Sequence, residues 1–112
     1  MKPGDFVVGV LTAAVETKVR PAIVISSSTY LVERPDLLVG ILTKKPPPTS
    51  TDCPVQDWQA AGLRAPSFFR TYVLTMHRSV LTMHRSESTI IGHLSDRDWI
   101  DVKDRVRTAL AI

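Results

Sequence analysis

Few residue types in this chain lend themselves to chemistry, and their spacing excludes several kinds. Arg20 stands in the run Val19-Arg20-Pro21-Ala22-Ile23-Val24-Ile25-Ser26. Its planar guanidinium stays charged at any working pH and can hold a pair of phosphate oxygens at once. Taken alone, it reads better as a surface arginine heading a strand, and the flanking motif reverses that. Thr43 closes the apolar run Leu37–Leu42, where a hydroxyl can serve a bound phosphate or satisfy a turn. The 3 histidines, His77, His84 and His93, ordinarily titrate near neutral pH. His93 falls in a short strand and reads as a satisfied structural histidine. Cys53 is the 1 cysteine, and no CxxC or HxxxH spacing occurs. An intrachain disulfide is impossible, and no metal site is expected.

Lys and Arg number 14 against 11 Asp and Glu, for a net charge of +3. That balance permits a polyanionic partner without requiring one. With 112 residues, 44% hydrophobic and 22% charged, the chain reads as one globular domain over 1–112 and not as a disordered segment. No apolar run approaches the ~20 residues of a membrane span. The run Phe6–Val10 is short and flanked by Asp5, so it reads as a strand rather than a signal-peptide core. A lone cysteine suits a reducing, cytoplasmic setting.

The candidate residues need elements to hold them. Phe6–Leu11, Pro21–Ile25 and Leu37–Thr43 are β-branched or apolar runs too short for helices, and each reads as a strand. Thr12–Val19 reads as a loop, and Pro21 is placed at the first position of its strand, where a missing N–H is tolerated. Leu37–Thr43 is nearly all apolar and is expected to be central. Tyr30–Arg34 is a short helical piece stopped by Pro35. Lys44–Asp52, with Pro46, Pro47 and Pro48, is an exposed loop. Cys53–Trp58 fits an edge strand, Ala61-Gly62-Leu63 a turn, and Ser67–Leu74 and Ile90–Leu94 two more strands. Ser95 is a good N-cap, Asp96 and Asp98 suit a first helical turn, and Trp99, Val102, Val106 and Ala109/Leu110 make one apolar face. Met76, Met83, Trp58 and Tyr72 fit packing roles, although the two aromatics could also stack on bases. The expected fold is mainly β, a small SH3-like barrel or rolled antiparallel sheet with a C-terminal helix.

The heptapeptide Val73–Ser79 is repeated without change as Val80–Ser86. Two copies are too few for a solenoid. Strand side chains alternate faces with period two, so an insertion of odd length exchanges inward for outward positions beyond it. One copy is therefore expected in the sheet, and the other as a bulge, an extended loop or a segment exchanged between protomers.

Taken in order, Gly4-Asp5-Phe6-Val7, Arg20-Pro21-Ala22-Ile23-Val24-Ile25-Ser26, Gly40–Thr43, Gly62-Leu63…Ser67 and Ile91-Gly92-His93-Leu94-Ser95 resemble the MazF/PemK family of toxin endoribonucleases. The matches spread from Lys2 to Leu110. The resemblance implies an SH3-like barrel shared with the CcdB toxins, usually homodimeric and without a cofactor. It implies metal-independent cleavage of single-stranded RNA by an internal 2′-hydroxyl, and silencing by an antitoxin with an acidic tail lying in the same groove.

By the same resemblance, Arg20 and Thr43 are the catalytic pair. Arg20 is better suited to stabilising phosphate charge than to giving up a proton. Glu16, Lys18, Lys44, Arg70 and Tyr72 are the expected substrate contacts, and none binds metal. Relatives often carry an acid two places after the arginine matched by Arg70, and Tyr72 stands there instead. That substitution leaves a second reading open: a weak or silent member that binds RNA or protein as a CcdB-like inhibitor does.

Overall fold

The computed structural model describes residues 1–12, 17–46, 49–77 and 90–112. Its elements are β1 (Asp5–Thr12), β2 (Thr17–Val24), α1 (Ser28–Glu33), β3 (Asp36–Thr43), β4 (Cys53–Val55), β5 (Ser67–His77), β6 (Ile90–His93) and α2 (Asp96–Leu110). The strands form one sheet in the order β4-β5-β3-β2-β1-β6. Every pairing in it is antiparallel. The sheet curls into a half-barrel with the C-terminal helix against it. This is the mainly β architecture that the short apolar runs predict.

Alternation along the strands sorts the apolar residues into two clusters. Phe6, Ile23, Leu42 and Phe69 belong to the cluster that includes Val102 of α2, with Trp99 and Val106 packed against it. Their neighbours Val7, Ala22, Val24 and Val39 join Leu31 of α1 and Met76 in the second cluster, which Ile41 flanks. Met76 is a packing residue, as expected. Trp58 also packs against the core, whereas Tyr72 is exposed. Ala109 and Leu110 are exposed too, so the buried face of α2 does not include them.

Several boundaries differ from the sequence reading. β2 starts at Thr17, so Pro21 lies inside the strand and not at its head. The β2–β3 ladder begins only at Ala22, while Pro21 is partnered by Val8 of β1. Before Ala22 the strand has one neighbour in the ladder, and a missing donor is tolerated on the open side. Asp52, assigned to an exposed loop, is buried. His93 is exposed on the edge strand β6, opposite Asp5 of β1. Of the duplicated heptapeptides, Val73–His77 belong to β5, and the remaining residues of both copies lie outside the described residues.

The turn from β4 to β5 is fastened to the start of α2. Ser95 caps that helix and Asp98 lies in its first turn. The Asp98 carboxylate, 1% exposed, accepts the backbone N–H groups of Gln56 at 2.9 Å and Asp57 at 2.8 Å. Ser95 Oγ donates to Asp57 Oδ2 at 2.6 Å, and the Arg97 fork donates to both Asp57 oxygens at 2.7 and 2.6 Å. Gly62, at φ +91, then turns the chain toward β5, in a left-handed conformation that suits glycine.

The Arg97 and Ser95 donors together hold the Asp57 carboxyl down at about 2. A depressed aspartate contributes its stability above the unfolded-state value of about 4 and loses it as pH falls toward the folded one. Arg97→Ala should therefore be less stable than the parent at pH near 6, with the gap closing as the pH falls from about 4 to 2. Acid titration followed by circular dichroism checks this, and a gap that persists below the folded value would contradict it.

Candidate functional site

Pro21 within β2, the end of β3, the segment before β5 and the first residue of β5 line an open cavity of about 310 Å³. Pro21, Leu42 and Leu63 give it an apolar floor, and Thr43, Lys44, Lys45, Arg64 and Ser67 give it a polar mouth. Each wall follows from a local feature. β3 delivers Thr43 at its last position, and the chain then leaves the sheet through Lys44 and Lys45 toward Pro46. The clasped turn at Gln56–Gly62 delivers Leu63 and Arg64.

The two hydroxyls are not equivalent. Ser67 Oγ donates to the carbonyl of Ala65 at 3.0 Å, so its proton is engaged. Thr43 Oγ1 accepts the backbone N–H of Lys45 at 3.2 Å. That arrangement leaves the Thr43 proton to be given to a bound acceptor. Lys44, Lys45 and Arg64 are exposed at the rim, and no acidic residue lines the cavity among the described residues. A hydroxyl donor and three cationic residues in one lining suit an anion with several oxygens.

The expected site residues fall in three places. Thr43 and Lys44 line the cavity. Arg20 and Lys18 lie on β2, with Gly9 and Leu11 as their partners on β1, and Pro21, which follows Arg20, lines the cavity. Arg70 and Tyr72 lie on β5, with Arg70 opposite Ile41, two places before Thr43 on β3. Neither lines the cavity. Glu16 lies outside the described residues. Arg64 is a site residue that the sequence reading did not select, although Gly62-Leu63…Ser67 brackets it. Nothing in its own type or spacing separates it from an ordinary loop arginine.

Other reactive types stand apart from this site. Burial, with the Asp101 carboxylate beside it, pushes the Cys53 thiol up to about 12, so it is a core residue and not a nucleophile. No three His, Cys, Asp or Glu side chains come together to hold a metal among the described residues. No described helix is long and apolar enough to cross a membrane.

No protein-family model matches the sequence, and no curated protein matches it. Solved structures do match in fold. An endoribonuclease in complex with its cognate antitoxin, from a mycobacterial species, aligns with TM-score 0.75 at 13% identity over 100% of this chain and 96% of its own. A MazE–MazF complex from Deinococcus radiodurans gives TM-score 0.74 at 14% identity, over 100% of this chain and 97% of that one. The Mycobacterium tuberculosis toxin MazF-mt6 gives 0.71 at 17% identity, over 95% and 97%. The chain has the fold of the MazF toxins.

Proposed function

From that fold and the cationic cavity on it, we propose that this chain is a toxin endoribonuclease acting on single-stranded RNA and restrained by a cognate antitoxin. The observation that carries the reading is the Thr43 hydroxyl, whose proton is not engaged, in a cavity also lined by Lys44, Lys45 and Arg64 and by no carboxylate among the described residues. An RNA phosphate seated there would take the Thr43 proton as a hydrogen bond on a non-bridging oxygen. On the antiparallel β2–β3 pair Ala22 is opposite Ile41, so Arg20, two places before Ala22, is level with Thr43, two places after Ile41, and is assigned the paired contact of a guanidinium to the phosphate.

In the reaction, the 2′-hydroxyl gives its proton to water as its oxygen attacks the adjacent phosphorus and a new P–O bond forms. The bond to the 5′-oxygen breaks, and that oxygen takes a proton from water. The products are a 2′,3′-cyclic phosphate and a 5′-hydroxyl. Negative charge grows on the phosphate oxygens in the transition state, and fixed cations and donors are most effective there. The lining residues provide charge and a donor. No imidazole or carboxylate to receive the 2′ proton lines the cavity among the described residues. This last observation favours the second reading, an RNA-binding protein without turnover.

Both readings are separated by one assay. A mixed single-stranded RNA is incubated with the protein in excess chelator, and fragment ends are mapped. Fragments with 5′-hydroxyl and cyclic phosphate ends are expected. A strict magnesium requirement with 5′-phosphate ends would mean hydrolysis by a metal-bound water and overturn the mechanism. Retention of intact RNA on the protein would establish the non-catalytic binder.

The antitoxin reading has its own test. An acidic, extended tail should occupy the same cationic site, so it should compete with RNA, and both should weaken as salt rises. Fluorescence anisotropy with labelled RNA and an acidic peptide measures this. Simultaneous binding would count against a shared site. Assembly as a homodimer belongs to the same reading and is checked by light scattering.

A further inference from the structure

β5 runs out of step with β3 at one place. Val39 pairs with Leu74 and Ile41 with Arg70, so the single residue Gly40 spans Thr71, Tyr72 and Val73. Bulges of this kind re-aim side chains and recur beside functional sites. Here, two features hold it in place. A Cβ on Gly40 would lie 2.3 Å from Cε1 of Phe69 and 3.1 Å from the carbonyl of Arg70, so β3 can pass this close to β5 only as glycine. In addition, the Thr71 N–H is donated to Asp52 Oδ1 at 2.9 Å, and the Thr71 hydroxyl donates to the carbonyl of Thr51. The other Asp52 oxygen accepts the Thr49 hydroxyl at 3.0 Å.

Asp52 is 7% exposed, and Tyr72, which lies beyond the Ser67–Phe69 stretch of β5 that pairs with β4, is 52% exposed. Burying a carboxylate is unfavourable, and so is leaving an aromatic ring in water. At ~3.3 Å per residue, Tyr72 lies within roughly 13 Å along the strand of Phe68, the partner of Thr43. A nucleotide next to the phosphate in the cavity falls within that range.

We propose that Asp52 is a positioning residue for nucleobase recognition, holding the β5 bulge so that Tyr72 stands exposed as a stacking platform for a base beside the reacting phosphate. The proposal rests on the RNA reading above. Asp52 touches no substrate and acts only through the bulge, so its removal should alter how tightly RNA binds and leave the chemical step alone. Aromatic stacking on a base is typically worth an affinity factor of about 10.

The test uses the full chain and a short labelled single-stranded RNA, measuring Kd, KM, kcat and thermal unfolding. Tyr72→Ala should raise Kd and KM about 10-fold with little change in kcat. Asp52→Ala should reproduce that pattern, and the double variant should bind no worse than Tyr72→Ala. Asp52→Asn keeps an oxygen for the Thr71 N–H and should restore most of the affinity. If Asp52→Ala does not fold, Thr71→Val, which loses the link to Thr51, takes its place with the same expectation. Losses that multiply in the double variant, or a fall in kcat at constant KM, would overturn the proposal while leaving the RNA reading intact. If the parent protein binds no RNA, the RNA reading fails and the proposal fails with it.

Discussion

Arg20→Ala is expected to slow RNA cleavage by about 10²–10³-fold while leaving the unfolding temperature nearly unchanged. The expected loss is that of one preorganised charge donor facing a transition state in which phosphate charge builds up. The backbone at this position is fixed by the β1–β2 ladder, where Arg20 is partnered by Gly9, and a side-chain truncation does not touch those hydrogen bonds. Arg20→Lys should restore little, because an ammonium is a point charge and cannot make the two-pronged contact. The loss should fall on kcat/KM, and on RNA affinity to a smaller degree, since the charge matters most once the 2′-oxygen has begun to bond. Single-turnover cleavage alongside circular dichroism checks both halves. Full activity in the alanine variant would remove Arg20 from the mechanism, and an unfolded variant would make it a structural residue.

The largest effect on stability is expected at Asp98. Asp98→Ala should lower the free energy of unfolding by about 3 kcal/mol or more, since hydrogen bonds to a buried charged acceptor are each worth about 1.5–3 kcal/mol. The carboxylate satisfies the N–H groups of Gln56 and Asp57 across the β4–β5 turn. Alanine would leave both donors without their carboxylate partner, and the turn would lose its tie to α2. Asp98→Asn should fall between the two, because its amide offers one oxygen and presents an NH₂ to a neighbouring donor. The turn carries Leu63 and Arg64 into the cavity wall, so RNA affinity should weaken along with stability. Urea denaturation followed by tryptophan fluorescence reads the first effect, and a change below about 1 kcal/mol would show that the clasp is not what holds this turn.

Local chemistry alone determined most of the elements. The β-branched runs gave β1, β3 and β5, the stop at Pro35 closed the short helix near its observed end, and Ser95 with its acidic first turn marked the start of α2. These signals act within a few residues, because backbone preference and capping are short-range. The ordered motifs from Gly4 to Ser95 also pointed to the toxin fold that the solved structures share. The same resemblance singled out Thr43 and Lys44, and both line the cavity.

Only the tertiary structure decided what lies beside what. The strand order β4-β5-β3-β2-β1-β6 depends on contacts between residues far apart in the chain, and no periodicity records them. Asp98 reads as a residue serving the helix dipole, yet its partners lie 42 and 41 positions away. Asp52 reads as part of a solvated loop, yet it is buried against Thr71, 19 positions on. Arg64 has no local mark at all and enters the site because the Gln56–Gly62 turn is tied to α2. In each case a polar side chain is committed to a backbone group or a cavity that exists only after the sheet has closed. Composition and spacing cannot reveal such a partner, because the free energy that selects it comes from burial of the whole pair.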